Sequence, residues 1–151
     1  MNNEIIILGI VITIIFYEIT EISSGGLIVP AYLALYLENS QKVIITLIAA
    51  IIVYLIVRII SDRTILYGRR KFAVYIIVGF LVRLFFRKIN LYLEEYQIEF
   101  LSGNIIGIMI TAILARDIER NGMIKSLSLL MIVSIFIKSI IEIIYEIGDF
   151  L

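Results

Sequence analysis

The sequence contains no cysteine and no histidine. The first absence excludes disulfides, thiolate nucleophiles and sulfur metal sites. The second removes the commonest general base and metal ligand, leaving proton chemistry to carboxylates, lysine or tyrosine. Tryptophan is missing too, so nine tyrosines must supply any interfacial aromatic belt. There is a single proline. Neither sign of charge is in excess: 13 basic residues meet 13 acidic ones, giving no electrostatic reason to expect nucleic acid as a partner. No phosphate-binding loop, Rossmann glycine pattern, zinc motif or Ser-His or Cys-His pair is found. No catalytic residue, metal site or cofactor is expected.

What fills the chain is apolar. Hydrophobic residues make up 62% and mean hydropathy is +1.08, far above a soluble domain. Charges cluster between apolar runs, as in a multi-pass membrane protein. A very hydrophobic soluble helical domain would need polar faces that these runs lack.

The stretch 25–37, Gly25-Gly26-Leu27-Ile28-Val29-Pro30-Ala31-Tyr32-Leu33-Ala34-Leu35-Tyr36-Leu37, is apolar but shorter than the roughly 20 residues a spanning helix needs. Gly25 and Gly26 free the entry backbone, and Pro30 disfavours helix at Val29. A broken or short helix is predicted, starting near Val29 or Pro30. A similar piece returns 81 residues later: Gly107 falls on Gly26, Ala112 on Ala31, Leu114 on Leu33, Ala115 on Ala34, with Glu99 on Glu18 and Glu119 on Glu38. Thr111 stands where Pro30 stands. Short interrupted segments at matching places in two halves point to a membrane site built on an internal repeat. The plainer reading is chance self-similarity of Ile/Leu/Ala-rich sequence.

In chain order, residues 5–17 form an apolar run continuing past Glu18 towards Glu21; its acidic leader argues against a signal peptide. Glu18 and Glu21, one turn apart, are candidate intramembrane carboxylates, or simply mark the water interface. Residues 43–60 are the clearest span, with Arg58 near the end. The loop 61–71 carries Arg63, Arg69, Arg70 and Lys71 against Asp62, placing it in the cytoplasm by the positive-inside rule. Residues 72–86 form the next span, with Arg83, Arg87 and Lys88 as a basic stripe. From 89 to 101 the pattern is that of an amphipathic interfacial helix. A second short segment, 103–115, opens with the Gly103/Gly107 spacing of a helix-packing motif. A polar turn at 116–122 and a last span at 123–147 follow, the latter holding Lys138 and Glu142 at pairing distance.

The expected fold is therefore an all-α integral membrane protein forming one domain over 1–151. It has about four full transmembrane helices and two short, broken or re-entrant ones, in repeat-related halves (about 1–66 and 72–151). If both short segments cross, the repeat is inverted and both termini lie outside; if both re-enter, the termini lie inside. Loop lysines and arginines favour three passes per half.

The stretch Ile65-Leu66-Tyr67-Gly68-Arg69-Arg70-Lys71-Phe72-Ala73, together with Gly26-Leu27-Ile28-Val29-Pro30-Ala31-Tyr32-Leu33, closely resembles the PgsC/CapC family of small membrane subunits of bacterial poly-gamma-glutamate synthase. The resemblance extends over nearly the whole chain. It departs at Ala31, where the family usually has glycine, and at Ile110-Thr111-Ala112, where the family repeats a Val-Pro-Gly-like motif. It implies a bacterial cytoplasmic membrane protein that partners a separate ATP-dependent amide ligase and a membrane-anchored accessory subunit, supporting capsule polymer synthesis and export. It transfers no catalytic residue.

The product would carry one carboxylate per residue and need counter-charge on its way. Arg63, Arg69, Arg70 and Lys71, beside Tyr67 and flanked by Arg58 and Arg83, are the candidate polyanion or ligase site. Gly25, Gly26, Pro30 and Gly107 are the candidate backbone positions of the short helices, whose N-termini would offer donor amides. The plainer reading of the loop is topology control and lipid contact. Rival functions are an independent transporter of an anionic solute and an anchor that only recruits the ligase. A homo-oligomer or mixed assembly is expected, since one chain is small for a polymer path.

Overall fold

Backbone chemistry sets the helix boundaries. The computed structural model describes residues 2–21, 26–94 and 107–149, and all regular structure among them is helical. The first helix, α1 (Asn2–Thr20), ends at Glu21, whose φ of 54° is left-handed while its N–H still donates to the Tyr17 carbonyl at 2.8 Å. Glu21 thus caps α1 rather than extending it. Gly26 also has a left-handed φ, 86°. The short helix α2 (Val29–Tyr36) then begins where predicted, with Pro30 in its first turn, where a missing N–H costs nothing. Its eight residues rise only about 12 Å.

Next come α3 (Ser40–Arg63) and α4 (Gly68–Glu94). No separate interfacial helix begins at 89. The chain from 81 to 94 has no glycine or proline to break it, and α4 runs on; residues 95–101 of that expectation, and Gly103, lie outside the described residues. The second short helix, α5 (Ile108–Asn121), replaces the expected segment 103–115 and polar turn 116–122. Its polar end stays helical because Asp117 and Ile118 face the bundle. Asn121 Nδ2 also donates to Asp117 Oδ1 at 2.8 Å. The break waits for Gly122, whose φ is 92° and whose N–H donates to the Ile118 carbonyl at 3.0 Å. That one residue separates α5 from α6 (Met123–Asp149).

The helices alternate in direction. Ile5 of α1 lies beside Ile141 of α6, while Glu119 at the end of α5 meets Lys71 at the start of α4. One end of the bundle therefore holds the 61–71 loop and the α5–α6 elbow; the other holds the start of α1, the α2–α3 turn and the end of α6. The short helices are packed alike: α2 lies on α1 and α6, α5 on α4 and α3. They also share a core, with Val29 and Leu33 packed among Ile110, Leu114 and Ile118.

Two helices among the described residues, α3 and α6, are long and apolar enough to cross a membrane; only 39% and 28% of their apolar windows are buried. The apolar part of α1, Ile5–Thr20, is shorter. Large apolar side chains such as Ile14, Ile48, Leu81, Phe85, Ile132 and Phe136 point outward, which a water-facing surface rarely tolerates over such area. Four buried hydroxyls are satisfied locally: Thr13, Thr46, Thr111 and Ser134 each donate to the carbonyl four residues back, at 2.7–2.9 Å.

Candidate functional site

The basic loop folds into a short extended link. Thr64 leaves α3 with φ −137° and ψ 136°, and Gly68 enters α4 with a left-handed φ of 60°. The turn walls a cavity of about 370 Å³, lined by residues 61–68 and Lys71. Arg63, Tyr67, Arg69 and Arg70 are exposed around it.

Lys71 behaves differently. It is partly buried, and its Nζ sits 2.6 Å from Glu119 Oε1. The other oxygen of Glu119 accepts a hydrogen bond from the Tyr75 hydroxyl at 2.9 Å. Lys71 and Tyr75, four residues apart on α4, thus hold one carboxylate of α5. Between them Phe72 receives the Arg116 guanidinium over its ring, 5.3 Å from the centroid, a cation–π contact. One turn of α4 is thereby stapled to the end of α5, and the charge of Lys71 is spent inside the fold.

The same geometry adds cations that the loop's sequence does not announce. The end of α5 lies at the loop end of the bundle, so exposed Arg116, Arg120 and Lys125 join Arg63, Arg69 and Arg70 there. Asp117, on the same turn, is buried and accepts hydrogen bonds from Asn121 and the Ser126 hydroxyl, tying α5 to α6. No local signal pairs Lys71 with Glu119 across 48 residues; the Asp117/Asn121 spacing of four was visible and marks a continuing helix.

The remaining predicted residues scatter. Arg58 Nη1 donates to the Tyr54 hydroxyl at 3.1 Å, within α3 and near the loop. Arg83 lies 13 residues beyond Arg70, about 20 Å along α4, so it does not flank the patch; it is exposed with Arg87 and Lys88. Glu18 and Glu21 are exposed at the end of α1 and make no ion pair among the described residues. Gly25 lies outside the described residues. Pro30 is buried, and a Cβ on Gly26 would meet Ile113 Cγ2 at 3.5 Å. Gly107 has an extended φ of 170°, open to any residue. Neither short helix has a side-chain N-cap, and the contact between them is apolar. Lys138 and Glu142 are 3.7 Å apart, with Glu38 of the α2–α3 turn 3.9 Å from the same lysine. Among the described residues no group of three or more acidic side chains could hold a metal ion.

Compared with known proteins, the chain matches the family described as Capsule biosynthesis CapC over residues 8–127. It is 35% identical over 120 residues to the PGA biosynthesis protein CapC of Bacillus subtilis strain 168, covering 78% of each chain. It is 35% identical over 119 residues to the Capsule biosynthesis protein CapC of Bacillus anthracis, again covering 78% of each. No solved structure matches.

Proposed function

The chain belongs to the CapC family of capsule biosynthesis proteins, and from that premise we propose that it serves poly-gamma-glutamate capsule synthesis as a multi-pass, non-catalytic subunit of the bacterial cytoplasmic membrane. Its task is to hold the synthase together and pass the polyanion across. The partners in this reading are an ATP-dependent ligase, a membrane-anchored accessory subunit and the growing chain.

The observation that carries the reading is the charge distribution along the bundle. Exposed Arg63, Arg69, Arg70, Arg116, Arg120 and Lys125 gather at one end, while Glu38, Glu142 and Glu146 stand at the other, towards which α4 carries the smaller group Arg83, Arg87 and Lys88. That asymmetry favours a cytoplasmic basic end and, with alternating helices, termini on the far side. It also gives a polycarboxylate a place to collect where it would be made. In this reading α1 and α4 cross alongside α3 and α6, giving four full spans. The matching packing of α2 on α1 and α6, and of α5 on α4 and α3, supports inverted halves, about 1–66 and 72–151, that exchange their third helices.

Lys71 serves the staple rather than the patch, so arginines are the groups to remove. Arg69→Gln with Arg70→Gln should cut surface polymer at least tenfold with the chain still present in membranes and Lys71–Glu119 intact. Co-purified ligase then tells the two roles apart: its loss means that the arginines dock the ligase, its retention that they receive the polymer. Undiminished polymer from a well-expressed double variant would sink the proposal. The apolar contact between α2 and α5 weighs against an independent transporter with its site there.

A further inference from the structure

At the end of the bundle away from the basic loop, α1, α2 and α6 part around a cleft of about 780 Å³. It lies level with the polar α2–α3 turn, and its whole α6 wall falls beyond the residues matched by the family. Lys138 stands in its wall, only 29% exposed. Its Nζ is 3.9 Å from Glu38 Oε1 and 3.7 Å from Glu142 Oε1. Both distances exceed a hydrogen bond, so the ammonium is drawn towards two carboxylates without closing on either. Glu146 adds a third carboxylate one turn on, and the floor is apolar, with Ile5, Ala34 and Ile141. Beside the cleft, Lys42 lies over the Tyr36 ring, 5.5 Å from its centroid.

A simple anion is a poor occupant, since three carboxylates face one lysine across the opening. A simple cation is met by Lys138. A molecule carrying an anionic group and a primary ammonium a few bonds apart satisfies both: the anion accepts from Lys138, and the ammonium donates to Glu38, Glu142 or Glu146. We propose that the cleft binds such a zwitterion, as found in the headgroup of an ethanolamine phospholipid or in a free amino acid. The apolar floor favours the lipid, whose acyl chains would continue along α1 and α6. The site shares no lining residue with the basic end.

The test uses the full chain purified in detergent, with thermal stability and native mass spectrometry read against added ligand. The probes are phosphatidylethanolamine, phosphatidylcholine, phosphatidylglycerol and free glutamate. Phosphatidylcholine keeps the charges but has no N–H donor; phosphatidylglycerol keeps the anion alone. About tenfold tighter binding of the ethanolamine lipid than of the other two, the size of one charged hydrogen bond, supports the proposal and assigns a lipid source. Saturable binding of glutamate supports it and assigns a soluble source. Affinity for the ethanolamine lipid and for glutamate should fall about tenfold in Lys138→Gln, which removes the donor to the anion, and the preference over phosphatidylcholine should weaken in Glu142→Gln, which removes an acceptor for the ammonium and leaves the buried core untouched, while Arg69→Gln with Arg70→Gln changes neither. Equal binding of the three lipids with no glutamate response overturns the proposal. So does undiminished affinity in folded Lys138→Gln or, should that variant not fold, an undiminished preference over phosphatidylcholine in Glu142→Gln.

Discussion

The two short helices are packed alike and closed differently. Near the end of each, a glutamate faces a lysine of a long helix: Glu119 and Lys71 for α5, Glu38 of the following turn and Lys138 for α2. At α5 the pair is 2.6 Å apart, partly buried, and completed by Tyr75. At α2 it is 3.9 Å apart, with Glu38 83% exposed, at the mouth of a cleft. The backbones differ in the opposite sense. A Cβ on Gly9 of α1 would lie 2.9 Å from Ala31 Cβ and 3.2 Å from its Cα, whereas a Cβ on Gly79 of α4 would meet Ile108 at an ordinary 3.6 Å. The α1–α2 contact is thus tightened by close backbone approach, and the α4–α5 contact, apolar at Val78, Val82, Ala112 and Ala115, is closed at its end by charge and hydrogen bonding. The same layout is held by two kinds of force, and only the second brings cations to the candidate site.

The largest effect should come from Gly9→Ala. The neighbour it strikes is a helix backbone, which cannot swing aside, so the loss is expected at about 3 kcal/mol, the upper end for overpacking. Gly79→Ala, buried in α4 with room for the methyl, should be neutral or gain up to about 1 kcal/mol from helix propensity. Melting of the two variants in one detergent checks this; equal losses would remove the contrast. Next is Glu119→Ala, which strips the acceptor from Lys71 and Tyr75 together. It should cost about 1–3 kcal/mol through unsatisfied groups, with a double-mutant cycle against Tyr75→Phe showing coupling.

The entry to α2 supplies a third test. Gly26→Ala, at a left-handed φ, should cost about 1 kcal/mol. Gly107→Ala, at an extended φ, should be neutral in the same melts. The smallest effect is expected for Glu38→Gln, below about 0.5 kcal/mol, as for most exposed ion pairs. A larger loss would mean that the cleft pair is as structural as the α5 staple.

The sequence made the breaks legible and the pairings not. Gly26 and Pro30 announced the start of α2 because backbone freedom and a missing N–H are local properties. The offset of 81 set Glu38 on Glu119 but announced neither lysine partner. The end of α5 was misread because Arg116, Asp117, Glu119 and Arg120 resemble a solvated turn. Their helical state depends on burial of Asp117 and Ile118 and on Ser126 beyond the elbow, which only the folded chain supplies. Lys71 illustrates the same limit: in the sequence it completes a run of three cations, and in the fold α5 withdraws it.

Hydrogen bonds between helices gather at one corner, where Tyr75 reaches Glu119 and Ser126 reaches Asp117. Such bonds have direction and resist sliding. Gly9 and Ala31 meet by contact alone, and contact between smooth surfaces resists separation more than shear. The corner of α4, α5 and α6 is therefore pinned in direction, while α1 and α2 are held to each other by shape, with the looser Lys138–Glu38 pair joining the α2–α3 turn to α6.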